Sequence, residues 1–319
     1  MARHDVFNGD ADGIGALLQL RLSEPVASTL VTGVKRDIKL LERVAPEPSL
    51  DITVLDISLA ENSDALELLL GAGAQVRYFD HHHAGTLPDH PALKAHIDTS
   101  PEVCTSLLVD RFLSGTQRIW AVVAAFGDNL DAPARRAAEP LGLAPAQIEK
   151  LRDLGQAINY NAYGETVDDL FFHPADLYRR LYRRAEPFSF IAEDDAYPVL
   201  RDGFASDMAQ ARNVVAEVEK PGCALYLLPD AKWSRRVSGA FSNALVNRFP
   251  DRAHAVLTPK AEGFVVSVRA PRTKPRGAHV LCRRFATGGG REAAAGIQHL
   301  PNESLERFSK EFCEFYGKR

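Results

Sequence analysis

Three short β-prone runs, HDVF (residues 4–7), DITVLDI (51–57) and QVRYF (75–79), each lead directly into polar or acidic residues. Between them lie GIGALLQLRL and SDALELLLGAG, in which apolar residues recur at spacings of three and four, the signature of helices with one buried face. Strand and helix in alternation predict a parallel sheet covered by helices on both faces. Ligand sites of such sheets lie beyond the carboxyl ends of the strands, where the acidic residues of this chain collect.

The pattern becomes mainly helical over 130–195 and then breaks at EPFSFIAEDDAYP. A long helical pattern, RDGFASDMAQARNVVAEVEK, closes at Pro221-Gly222. Beyond it come a strand (CALYLLP), a helix (SGAFSNALVNRF), two strands (AHAVLTP, GFVVSVRAP), a glycine-rich loop and a last helix (SLERFSKEFCEFYG). At 319 residues the chain is long enough for two cores. The expected organisation is α/β throughout: a first domain over 1–185, a linker over 186–200, and a smaller α/β domain over 201–319, with a cleft between the domains.

Composition removes several classes. Hydrophobic residues at 45% and charged residues at 25% are those of an ordinary globular protein. No apolar run reaches the ~20 residues that cross a bilayer, and MARHDVFNGDADG has no signal-like apolar stretch, so a cytoplasmic protein without a membrane partner is expected. Cys104, Cys223, Cys282 and Cys313 are dispersed and read as reduced thiols. A net charge of -4 argues against coating long duplex DNA but leaves room for a small phosphorylated substrate or short oligonucleotide, given a local cation. The oligomeric state is open, a homodimer being admitted.

Four polar clusters carry the chemistry. In Asn8-Gly9-Asp10-Ala11-Asp12-Gly13, two carboxylates spaced by one residue can face a hard cation, while an aspartate helix cap explains the same letters equally well. Asp56 ends the apolar run ITVLD and suits either a metal or a helix cap. Asp80-His81-His82-His83 follows QVRYF; three successive histidines cannot all point into a core, and imidazole suits transition metals or a phosphoryl oxygen. Asp128, in GDN after the run IWAVVAAF, reads alone as a helix terminus.

The ordered set DADG, LD, DHH and GD, at Asp10/Asp12, Asp56, Asp80/His81/His82 and Asp128, resembles the motifs of the DHH phosphoesterase superfamily, which includes RecJ-type exonucleases, oligoribonucleases, cyclic-dinucleotide phosphodiesterases, pyrophosphatases and polyphosphatases. Gly288-Gly289-Gly290-Arg291-Glu292-Ala293-Ala294-Ala295-Gly296 is similar to the GGGHxxAAG motif of the associated substrate-binding domain, with Arg291 in place of histidine. Val6 and Asn8 stand where many members carry a further His or Asp. The resemblance implies two divalent cations held by Asp10, Asp12, Asp56, His81 and Asp128, with Asp56 bridging; manganese is the expected metal, magnesium or cobalt the alternatives. It implies catalytic roles for Asp56, Asp80, His81 and His82, with Asp80 orienting a ligand histidine and His82 steadying the phosphoryl group. Substrate would be bound by His82, Arg269, the glycines and Arg291, the glycines opening a helix whose N-terminus favours anions.

The expected activity is hydrolysis of short oligonucleotides or a small nucleotide. The alternatives are a pyrophosphatase, polyphosphatase or phosphomonoesterase, and a nucleotide-binding regulator with weak catalysis. Two further features read as ordinary surface or packing: Lys35-Arg36 as a solvated pair, and Asn159-Tyr160-Asn161-Ala162-Tyr163-Gly164 as a helix end, with base stacking as its functional alternative.

Overall fold

The computed structural model describes residues 2–317, and the chain divides into two compact units, Met1–Gly203 and Phe204–Arg319. The first unit contains strands β1 (Arg3–Phe7), β2 (Thr29–Val31), β3 (Asp51–Leu55), β4 (Gln75–Asp80) and β5 (Leu93–Ile97). Its helices are α1 (Ala11–Ser23), α2 (Ser63–Gly71), α3 (Thr105–Phe112), α4 (Arg118–Gly127), α5 (Asp131–Ala138), α6 (Pro145–Asn161), α7 (Pro174–Arg184) and α8 (Pro187–Glu193). Helix α9 (Ala196–Arg212) follows, and residues 186–200, expected as a linker, are α8 and the start of α9.

All five strands of the first sheet are parallel, in the order β2-β1-β3-β4-β5. Alternating side chains face two cores. Phe7, Leu55 and Phe79 join a cluster with α1, α3, α4 and α6, while Val6, Val54 and Tyr78 join one with α2. The strand order reverses between β1 and β3, the point at whose carboxyl edge open α/β sheets place their ligand sites. Asp10 and Asp56 stand there. At the opposite end, buried Arg21 of α1 is held by Asp5 of β1 at 2.8 and 2.5 Å and by Thr53 of β3 at 3.1 Å, which ties helix to sheet.

The second unit has a mixed six-stranded sheet ordered β10-β11-β9-β8-β7-β6. Its elements are β6 (Val218–Lys220), β7 (Cys223–Leu227), α10 (Lys232–Arg248), β8 (Ala253–Lys260), β9 (Gly263–Arg269), α11 (Ala278–Cys282), β10 (Gly288–Gly290), β11 (Ala294–Pro301) and α12 (Leu305–Tyr316). Only β7 and β8 run parallel. The helical pattern expected to run to Lys220 stops at Arg212, because Val218–Lys220 pairs with Cys223–Leu225 in a tight antiparallel turn. The four cysteines are free and buried. Among the described residues, no helix is long and apolar enough to cross a membrane.

His254 of β8 is fully buried; its Nε2 lies 3.4 Å from the Phe249 carbonyl and its Nδ1 has no partner. Burial pushes its pKa down to about 4. An unfolded imidazole titrates near pH ~6.5, so on acidification the unfolded chain takes the proton first, and the stability tied to neutral His254 is lost between about pH 6.5 and 4. We predict that His254→Gln removes roughly 2 kcal/mol of the decline in unfolding free energy over that window, read by urea titrations at pH 7 and pH 4.5. Equal declines in both proteins would exclude the assignment.

Candidate metal centre

Residues Asn8–Asp12 turn from β1 into α1. Asp10 caps the helix, its Oδ1 accepting from the backbone N–H groups of Asp12 (2.9 Å) and Gly13 (3.1 Å). The cap and the acidic-site readings of this loop are therefore both realised, by different oxygens: Asp10 Oδ2 faces Lys35 Nζ at 2.5 Å. Asp12, in the first turn of α1, reaches the start of α3, where both its oxygens accept at 2.7 Å from the backbone N–H groups of Thr105 and Ser106. The N-terminus of a helix stabilises a carboxylate there.

Asp56 follows β3 in a left-handed backbone conformation, φ 59°, held by its N–H on the Phe79 carbonyl at 3.0 Å. Such a conformation costs a non-glycine residue on the order of 1 kcal/mol and is kept where the surroundings impose it. It aims the carboxylate at Thr105 Oγ1 (3.1 Å) and His81 Nε2 (3.4 Å). Asp128 follows α4 directly and is held near Asp12 by close packing of α1, α4 and α6.

His81 has its Nδ1 3.0 Å from the Val103 carbonyl. As the donor to that carbonyl Nδ1 carries a proton, and Nε2 is directed at Asp56 and, at 3.9 Å, Asp12. Ligand-capable atoms of Asp12, His81 and Asp128 lie within 4.8 Å of one another, as do those of Asp56, His81 and His82. Asp80, fully buried at the end of β4, bonds His82 Nδ1 at 2.7 Å with one oxygen, and its other oxygen has no hydrogen-bond partner. His83 contributes its backbone carbonyl to Ser58 Oγ at 3.2 Å.

The electrostatics follow from crowding. Burial, then the charges of Asp12, Asp10 and Asp128, push the Asp56 carboxyl well above the ordinary carboxylate range. Burial and Asp12 raise Asp128 to about 6. Burial alone would raise Asp10 too, but the Lys35 ammonium outweighs it and holds that group below its usual value. The hydrogen bond that the His82 Nδ1–H donates to the Asp80 carboxylate raises the His82 imidazole. Buried carboxylates that destabilise one another, with an imidazole nitrogen aimed among them, suit a divalent cation. Two groupings that share His81, Asp12 with His81 and Asp128 and Asp56 with His81 and His82, have the spacing to hold such an ion.

Two features escaped the sequence reading. Lys35, read there as solvated, points into the acidic site, whereas its neighbour Arg36 pairs with Glu165 on the surface at 2.7 Å. The α3 N-terminus that grips Asp12 begins at Thr105-Ser106, a start signal for the run TSLLVDRF. Asn161 is a packing residue, bonded through its side chain to both backbone groups of Phe172, but Asn159 reaches Lys35 at 3.4 Å.

In the second unit, Arg269, Thr287, Gly288, Gly289, Gly290 and Gly296 line one shallow pocket. Arg269 is oriented by Asn243 Oδ1 (2.8 Å) and Ser267 Oγ (3.0 Å). The expected helix after the glycines is replaced by a hairpin: Gly288, Gly289 and Gly290 pair with Ile297, Gly296 and Ala295. Pairing of Ala294–Ile297 with β9 overrides the helix propensity of the alanines. A Cβ on Gly288 would lie 1.7 Å from the Cys282 carbonyl oxygen, and Gly290 has φ 131°, so side chains are excluded at both positions. Arg291 is exposed in the turn, outside the lining residues of the pocket.

The fold and site thus define a two-unit α/β protein with an acidic, histidine-bearing centre at the carboxyl edge of a parallel sheet. No family model and no curated protein matches the sequence. Solved structures do match. Exonuclease RecJ bound to manganese aligns over 100% of this chain and 90% of its own, at 15% identity and TM-score 0.62. RecJ of Thermus thermophilus in complex with Mn2+ aligns over 98% of this chain at 17% identity and TM-score 0.59, and this chain spans only 52% of it. The pGpG-specific phosphodiesterase PggH of Vibrio cholerae aligns over 97% of both chains, at 14% identity and TM-score 0.51. RecJ and this phosphodiesterase are DHH phosphoesterases, and the present chain has their fold.

Proposed function

We propose that the chain is a metal-dependent phosphoesterase of the DHH type, hydrolysing a phosphodiester in a short oligonucleotide or small nucleotide. The observation that carries this reading is the aim of His81 Nε2, oriented by the Val103 carbonyl, at the carboxylates of Asp56 and Asp12, with Asp128 beside them. A divalent cation held there supplies the charge that activates water and offsets charge developing on the phosphoryl oxygens. The structural match to manganese-bound RecJ supports manganese as that cation.

The remaining work falls to the chain's own groups. Thr105 fixes the Asp56 carboxylate, and the α3 N-terminus fixes Asp12. Asp80 holds His82 by Nδ1 and favours its protonated form, so Nε2–H can donate to a phosphoryl or leaving oxygen. Arg269 and the glycine hairpin bind substrate phosphate in the second unit. A nucleotide is favoured over pyrophosphate by Tyr163, whose half-exposed ring is joined to the site through Asn159 at 3.2 Å and offers a base a stacking surface.

The deciding experiment is a turnover screen over dinucleotides, short single strands, cyclic dinucleotides, pyrophosphate and polyphosphate, with manganese and with chelator. Nucleotide release that chelator abolishes supports the proposal; turnover of pyrophosphate or polyphosphate alone overturns the diester reading. In the same assay Arg269→Met should raise KM about 10- to 100-fold, the worth of one charge-assisted phosphate contact, with manganese affinity unchanged. An unaltered KM would remove Arg269 from the substrate site.

A further inference from the structure

The acidic centre already contains a cation. Lys35 Nζ lies 2.5 Å from Asp10 Oδ2, 3.4 Å from Asn159 Oδ1 and 3.6 Å from Asp128 Oδ1, so three oxygens surround one ammonium. Its place is built from several elements. The Lys35 N–H donates to the Ala162 carbonyl at 2.9 Å, and its own carbonyl accepts from Asn8 Nδ2 at 3.3 Å. Asn159 donates its amide N–H to Tyr163 Oη at 3.2 Å, which turns the amide oxygen toward Lys35. Asp10 is fixed from the other side, since its Oδ1 is spent on the α1 cap.

Asn8 is neutral and satisfies the Lys35 backbone, adding no charge for a metal. Among the described residues, the groupings with metal-ligand spacing contain Asp12, Asp56, His81, His82 and Asp128, and Asp10 lies outside both. An ion on Asp10 Oδ2 would sit about 2.1 Å from that oxygen. It would then lie within about 5 Å of the ammonium, in surroundings that screen like charges poorly.

We propose that Lys35 takes the place of a second divalent cation. The chain binds one such ion through His81, the residue that both groupings share, and Asp10 is the counter-ion of a built-in ammonium. This rests on the metal-centre reading above. The ammonium offsets the Asp10 charge at all times and can donate hydrogen bonds to a phosphoryl oxygen, but a chelator cannot remove it and it does not polarise water as a divalent ion does. Asn159 and Tyr163 are then positioning residues for Lys35.

The test is metal stoichiometry in the full-length chain. Protein stripped with chelator is titrated with manganese chloride by calorimetry, and the loaded protein is examined by electron paramagnetic resonance, which separates isolated from exchange-coupled manganese. The expected result is one manganese per chain in the wild type and in Lys35→Arg, with the spectrum of an isolated ion. Lys35→Met, or Lys35→Gln should the first not fold, is expected to take up a second ion and show coupling. Two ions in the wild type, or a single ion in a folded Lys35→Met or Lys35→Gln chain, overturn the proposal. Asp56→Asn separates the two readings. Two ions in the wild type and fewer in Asp56→Asn reject the role of Lys35 alone, whereas no manganese bound to the wild type rejects the metal centre and the proposal with it.

Discussion

Asp56→Asn is expected to abolish turnover and, at the same time, to make the metal-free protein more stable. The two effects have one cause. Asp56 is buried among Asp12, Asp10 and Asp128, which with burial itself hold its carboxyl well above the ordinary range. Replacing it by an isosteric neutral amide keeps an acceptor for Thr105 Oγ1 and removes like-charge repulsion, so the melting temperature without metal should rise. With metal the order should invert. The wild type gains RT ln(1 + [L]/Kd), about 2.7 kcal/mol at a hundredfold excess over Kd, and the variant gains little. Several kcal/mol of transition-state stabilisation are lost with the metal, so turnover should fall about a thousandfold or more.

The pH dependence of the metal-free wild type carries the same sign. A carboxyl whose folded pKa is raised contributes stability below its unfolded value, about 3.9, and loses it as pH climbs toward the folded value. Metal-free wild type should therefore weaken with rising pH over that range, and Asp56→Asn should weaken less. Melting curves with and without manganese, at two pH values, read all of this. An Asp56→Asn protein that is less stable than wild type without metal would show that Asp56 is a structural residue held by Thr105 rather than a charge held in reserve for a cation.

How much of this was legible in the sequence depended on whether cause and effect lay close together in the chain. β1, β3 and β4 each pair an apolar run with an abrupt polar end, and they lie where HDVF, DITVLDI and QVRYF pointed. β2 has three residues and β5 reads LKAHI, half-buried at the sheet edge, so neither carries a periodicity to recognise. The glycine segment misled for the opposite reason: REAAAG has strong helix propensity, but strand pairing with β9 decides its conformation. At the acidic centre, the carboxylates and histidines were visible because side chains leave letters. The Val103 carbonyl that orients His81 leaves none. Lys35 read as solvated because Asp10 is 25 residues away and Asn159 is 124 residues away, distances over which charge patterning along a chain carries no information.

The position of Asp128 depends on glycine contacts between helices, and Gly155→Ala should show how strongly. A Cβ at Gly155 of α6 would lie 2.1 Å from the Val123 carbonyl oxygen and 2.9 Å from the Gly127 nitrogen, both backbone atoms of α4. Gly127 in turn leaves room for only 2.4 Å to the Ala11 Cβ of α1 and 2.7 Å to the Gly155 carbonyl oxygen. Helices α4 and α6 thus meet backbone to backbone with the Ala11 Cβ of α1 against them, nothing flexible gives way, and Asp128 and Asp10 flank the contact in sequence. The substitution must push α6 from α4, costing about 3 kcal/mol or more, at the upper end for overpacked cores. It should also weaken manganese binding by separating Asp128 from Asp12. Gly239→Ala is the matched control: it lies inside α10 with nothing within 4 Å of its Cβ direction. There alanine should stabilise by about 0.5–1 kcal/mol. Urea unfolding with a manganese titration of each variant checks both signs. If Gly155→Ala matches the wild type in stability and metal affinity, the close contact of α4 and α6 does not set the geometry of the centre.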